Sequence, residues 1–118
     1  MAPNPAQPGP GVVLCPLADL SDPGARGFRF RVEGDLFAGF VVRRGDAVIG
    51  YVDSCPHAGW PLAGAPDRYL TRDDALILCA GHGALFAIDG GACVAGPCLG
   101  ERLTPWPVAV VDGVLVTA

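Results

Sequence analysis

The sequence predicts an all-β fold of short antiparallel strands, on three observations. Apolar residues make up 51% of the chain, enough for a core, yet 17 glycines and 12 prolines divide it into pieces too short for long helices. Some of those pieces alternate apolar and polar residues, the period of a strand with one buried face. Between them stand turn sequences such as Glu33-Gly34-Asp35, Arg44-Gly45-Asp46 and Asp112-Gly113. A length of 118 residues is that of one domain.

In chain order, residues 1 to 10 carry Pro3, Pro5, Pro8 and Pro10 without apolar periodicity and are expected to form a flexible leader, with a single domain over residues 11 to 118. Gly11 to Cys15 is a candidate first strand. Asp19 to Arg26 is turn-forming around Asp22-Pro23-Gly24. Phe28-Arg29-Phe30-Arg31-Val32 alternates, which places Arg29 and Arg31 in solvent. Leu36 to Val42 and Ala47 to Val52 continue as two successive hairpins, and the Arg-Gly-Asp triplet between them reads as a turn rather than an adhesion motif. Gly64 to Arg72 has the composition of a surface loop. Ala75 to Leu78 and Leu85 to Ile88 are further strands, Asp89-Gly90-Gly91 is a turn, and Pro107 to Val111 with Val114 to Val116 form a last hairpin around Asp112-Gly113.

The net charge is −4, and the 8 basic residues are all arginine, scattered along the chain rather than gathered on one face. Nucleic acid is therefore not an expected partner. The N-terminus has neither a basic nor an apolar signal region, and no apolar run approaches the roughly 18 residues of a membrane span. A soluble, cytoplasmic protein without membrane contact is expected, and in that compartment its 5 cysteines do not imply a disulfide framework.

The chemistry is concentrated in two segments, Cys55-Pro56-His57-Ala58-Gly59-Trp60 and Cys79-Ala80-Gly81-His82-Gly83-Ala84-Leu85-Phe86, which hold both histidines of the chain. A single cysteine or histidine is ordinary core or surface material. Two Cys–His pairs in glycine- and proline-rich loops instead offer two thiolates and two imidazoles, a donor set suited to zinc or to an iron–sulfur cluster. Cys15, Cys93 and Cys98 remain, read as structural, with Cys93 and Cys98 as an alternative ligand pair.

These two segments resemble the cluster-binding loops of the Rieske-type [2Fe–2S] proteins. Phe86, the Gly96-Pro97 pair, which is similar to that family's proline loop over the cluster, and Trp106-Pro107-Val108 leading to Asp112-Gly113 extend the resemblance from about Val41 to the C-terminus. It implies a Rieske-like fold with a small cluster-binding subdomain of two loops, and Cys55, His57, Cys79 and His82 as ligands of a [2Fe–2S] cluster. Residues 58 to 78, between the two motifs, are a few more than most members have. Both histidines are committed, so no mononuclear iron of an oxygenase can be held. The resemblance thus implies a ferredoxin rather than a catalyst, carrying single electrons from a reductase to a terminal oxygenase or similar oxidoreductase. Alternatives are a small Rieske-like subunit of a larger enzyme such as nitrite reductase, and a structural zinc interaction domain, against which Cys-x-His spacing counts.

Neutral imidazoles in place of two thiolates remove two negative charges from the site and raise the potential into a class range of about −150 to +300 mV. In the high-potential Rieske proteins serine and tyrosine hydroxyls donate to sulfur, and a disulfide joins the loops. The matching positions here are Ala84 and Phe86, and Trp60 and Gly81. Each missing hydroxyl is expected to lower the potential by roughly 50–100 mV, placing the midpoint near about −150 mV. A redox titration checks this, and Ala84→Ser with Phe86→Tyr should raise the value.

Overall fold

The computed structural model describes residues 4–56 and 59–118. Among them are nine strands: β1 (Val13–Pro16), β2 (Gly24–Val32), β3 (Asp35–Arg44), β4 (Ala47–Val52), β5 (Leu76–Leu78), β6 (Leu85–Ala87), β7 (Cys93–Ala95), β8 (Val108–Val111) and β9 (Val114–Thr117). They form three antiparallel three-stranded sheets, ordered β1-β9-β8, β2-β3-β4 and β5-β6-β7. A 3-10 turn at Leu17–Asp19 is the one helical element among the described residues. The all-β expectation holds.

The hairpins close where turn chemistry predicts. Val32 pairs with Asp35 and Val111 with Val114, leaving two-residue turns whose residues all have positive φ: Glu33 49° and Gly34 93°, Asp112 51° and Gly113 75°. Turns of that hand match the right-handed twist of the strands they join.

The central sheet separates two cores. On β3, Phe37 and Val41 face one side, where they pack with Trp106, Leu115, Cys15 and Leu20. Phe40 and Val42 face the other, among Tyr51, Leu62, Tyr69, Ile77, Phe86 and Leu103. Side chains alternate across a strand, so a strand covered on both faces needs apolar residues at successive positions, as the run Phe40-Val41-Val42 supplies. Trp106 fills the first core, edge-on to Phe37 at 5.3 Å between ring centroids. It fits because β3 carries Gly39 opposite it: a Cβ there would lie 2.4 Å from the indole Cε3.

Three expectations change. Strand β2 starts at Gly24, four residues before the alternating run, because Gly24 to Gly27 pair along β3 from Arg43 to Phe40 although their sequence has no strand period. Strand β7 follows the Asp89-Gly90-Gly91 turn where only irregular chain was expected, pairing Cys93 with Phe86. The strand before the first motif, β4, pairs with β3, and the second motif joins β5 to its partner β6. Residues 4–10, expected as a leader, lie against the fold from Asn4 onward. Ala6 is buried, Asn4 Nδ2 donates to the Leu36 carbonyl at 3.0 Å, and Thr117 Oγ1 donates to the Gly9 carbonyl at 2.7 Å.

Candidate metal centre

The two cysteine loops have one backbone design. In the first, the Cys55 amide donates to the Trp60 carbonyl at 2.8 Å and the Cys55 carbonyl accepts from Gly59 at 2.7 Å; in the second, Cys79 donates to Ala84 at 2.9 Å and accepts from Gly83 at 3.0 Å. The fourth residue after each cysteine is a glycine in the left-handed region, with φ 73° at Gly59 and 74° at Gly83. That conformation is costly for a residue with a Cβ, which explains the shared Cys-x-x-x-Gly pattern in two otherwise different sequences.

The loops face one another across a cavity of about 170 Å³ lined by Cys55, Trp60, Cys79, Gly81 and His82. Both cysteines are buried, whereas His82 and Trp60 are exposed, Trp60 at 68%. Sulfur donors thus form the floor and an imidazole part of the rim. Among the described residues no three metal-binding side chains converge closely enough to hold a single ion. His57, the fourth expected ligand, lies outside the described residues. The donor chemistry fits a two-iron cluster, which takes thiolate and imidazole ligands from opposite sides.

A buried carboxylate fastens the arrangement. Asp53, 8% exposed, accepts from the Leu62 amide through Oδ1 and from the Tyr69 hydroxyl through Oδ2, both at 2.8 Å. The Leu62 carbonyl in turn accepts from the Ala80 amide at 2.8 Å, and the Tyr69 carbonyl accepts from Leu78 at 2.8 Å, so this carboxylate reaches the second loop by two routes. Burial, then the charge and hydrogen bond of Asp53, push the Tyr69 phenol well above its usual range. Its ring stacks on Phe40 with centroids 4.3 Å apart. The segment Gly64 to Arg72 is therefore not all surface loop: it carries an anchor. Sequence reading missed Asp53 and Tyr69, since nothing local marks either as more than a turn residue and a loop aromatic.

The expected cover segment lies against the second loop, where a Cβ on Gly96 would come 2.8 Å from Ala84 Cα. Beneath it Cys93 and Cys98 are buried, with their sulfurs 3.0 Å apart. Burial first, and then the hydrogen bond with Cys93, push the Cys98 thiol up to about 12. None of the five cysteines is in a disulfide.

The family model for the Rieske [2Fe-2S] domain matches residues 11–111. The chain belongs to the Rieske [2Fe–2S] domain family. That family carries a [2Fe–2S] cluster, which displaces the structural-zinc reading. Solved structures agree with the assignment. The ferredoxin of carbazole 1,9a-dioxygenase from Nocardioides aromaticivorans IC177 is 26% identical, with TM-score 0.69 over 94% of this chain and 98% of that one. The Sphingomonas yanoikuyae B1 ferredoxin is 26% identical, with TM-score 0.65 over 90% and 95%. A complex of reduced oxygenase and oxidized ferredoxin in carbazole 1,9a-dioxygenase gives 25% identity and TM-score 0.70 over 91% of each chain. No curated protein sequence matches. Among the described residues of this Rieske domain, no helix is long and apolar enough to cross a membrane.

The Asp53 network yields a direct test. Tyr69→Phe leaves one carboxylate oxygen without its buried donor and should cost about 1.5–3 kcal/mol in chemical denaturation. Asp53→Asn, which cannot accept from both donors through two oxygens, should in addition lower cluster content, whereas Asp73→Asn on the surface should change neither.

Proposed function

We propose that this chain is a soluble, cytoplasmic Rieske-type ferredoxin, an electron carrier and not itself an enzyme, that passes single electrons between a reductase and a terminal oxygenase or similar oxidoreductase. Cys55, Cys79, His57 and His82 would hold its cluster, two thiolates and two imidazoles. The observation that carries this reading is the pair of alike cysteine loops facing each other across one cavity, with buried sulfur on the floor and exposed His82 at the rim. The similar ferredoxins support the partner class, because one is described as the ferredoxin of a dioxygenase and another in complex with its oxygenase. The domain extends over residues 11 to 118, of which the family model covers nearly all.

The bound cluster supplies a one-electron couple without transfer of atoms. The chain's residues do the rest. Cys55 and Cys79, both buried, would hold the cluster from the floor of the cavity, and the glycine turns fix the cysteine backbones. His82, Trp60, Pro97 and Leu99 are exposed, and they form the face on which a redox partner docks.

Protein purified without air should contain two iron and two acid-labile sulfide per chain, bleaching with dithionite. Serine at Cys55 or Cys79 should abolish both, and one zinc without sulfide would overturn the ligand assignment.

The docking face is tested separately. Trp60→Ala should slow electron delivery to an acceptor several-fold, measured by stopped-flow absorbance, with cluster content unchanged. Loss of the cluster in that variant would make Trp60 a structural residue.

A further inference from the structure

Three cysteines lie outside the ligand set. Cys15 is buried in the Trp106 core, apart from the others. Cys93 and Cys98 lie together under the cover segment, 7% and 2% exposed, and the Cys98 thiol donates to the Cys93 sulfur at 3.0 Å. A disulfide bond is about 2.0 Å long, so closing the remaining ångström needs side-chain rotation more than chain movement. The backbone on both sides is already clamped: the Cys93 amide donates to the Glu101 carbonyl and the Glu101 amide to the Cys98 carbonyl, each at 2.9 Å. The Cys93 thiol is within 3.2 Å of the Ala95 carbonyl, which holds the sulfur on the inside of the turn. Above the pair Val94, Gly96, Pro97 and Leu99 are exposed, Leu99 at 65%.

We propose that Cys93 and Cys98 are a redox modification site, converted by a small hydroperoxide into a disulfide that closes the cover segment over the second ligand loop. Cys93, the less buried sulfur, attacks one peroxide oxygen. The O–O bond breaks, the released hydroxide takes the thiol proton as water, and Cys93 becomes a sulfenic acid. The Cys98 sulfur then displaces that hydroxyl, which leaves with the Cys98 proton as a second water. Two thiols supply the two electrons that reduce one peroxide. The neighbouring thiol captures the sulfenic acid before further oxidation.

The consequence follows from Gly96, whose backbone touches Ala84 too closely to admit a Cβ. Joining the two ends of the segment that carries Gly96 holds it down on the loop that presents Cys79 and His82.

The test uses cluster-loaded protein treated with one equivalent of hydrogen peroxide, then denatured in iodoacetamide, digested with trypsin and sequenced by mass spectrometry. The fragment from Asp73 to Arg102 should show Cys79 alkylated and Cys93 joined to Cys98, two hydrogens lighter and unlabelled, with dithiothreitol restoring both thiols. Alkylation of both Cys93 and Cys98 after the peroxide is consumed overturns the proposal, as does a bond from either to Cys55 or Cys79. Cys98→Ser should leave a sulfenic acid on Cys93 that dimedone traps. If that variant does not fold, the wild-type map alone decides.

Discussion

A carboxylate buried between two loops must be satisfied on both oxygens or it opposes folding, and Asp53 meets that condition only when the chain on either side of the cavity is in place. Its position is set by β4, whose last residues pair with β3 and with the Thr104 carbonyl. From there Oδ1 fixes the exit of the first loop at Leu62, and Leu62 holds Ala80 beside the second cysteine. Two loops distant in sequence are thus coupled through one side chain. A ligand cage must hold its donors to within a fraction of an ångström, and loops become rigid enough when their supports are themselves fully bonded.

The same economy governs the body of the protein. Because the middle of β3 is covered on both faces, bulky side chains packed there require gaps on the element opposite. Gly39 and Gly50 provide those gaps: a Cβ on Gly50 would meet the Trp106 carbonyl at 2.4 Å. Trp106 is therefore held from two strands, and through its amide bond to the Gly50 carbonyl it also anchors the segment that leads to β8. Interiors packed at this density transmit a change of one methyl group. The outer sheet is fixed to the central one through this indole, while the central sheet supports the metal centre through Phe40 and Tyr51.

Most of this was legible in the sequence wherever the cause is local. Alternation revealed the buried face of β2 from Phe28 onward, and Glu33-Gly34 and Asp112-Gly113 gave their turns, because φ preference belongs to the residues themselves. The cysteine and histidine motifs marked the loops for the same reason: thiolate and imidazole chemistry needs no context. What was not legible depends on distant chain. Gly24 to Gly27 become strand only because β3 is long enough to pair them, and Cys93 to Ala95 become strand only because Phe86 lies opposite. Tyr69 read as loop because its value comes from Phe40 and Asp53, 29 and 16 positions away by sequence number. The repeated hydrogen-bond design of the two loops had a visible trace, glycine four residues after each cysteine, whose meaning needs the φ angles.

The division of the centre into a buried sulfur floor and an exposed imidazole rim has a physical logic of its own. Thiolates are charged ligands, and keeping them on the protein side surrounds them with fixed amides rather than mobile water. Imidazole is a neutral ligand whose second nitrogen can meet solvent or a partner without loss, so it suits the surface. Trp60 lines that cavity and leaves its indole largely exposed, the kind of apolar surface that a partner covers in part of a working cycle. Such a patch is small, and small interfaces release their partners quickly, as a carrier that must visit two proteins in turn requires. Rigidity beneath the rim and adhesion on it are therefore two halves of one requirement: the centre must not move when the partner arrives, and the partner must not stay.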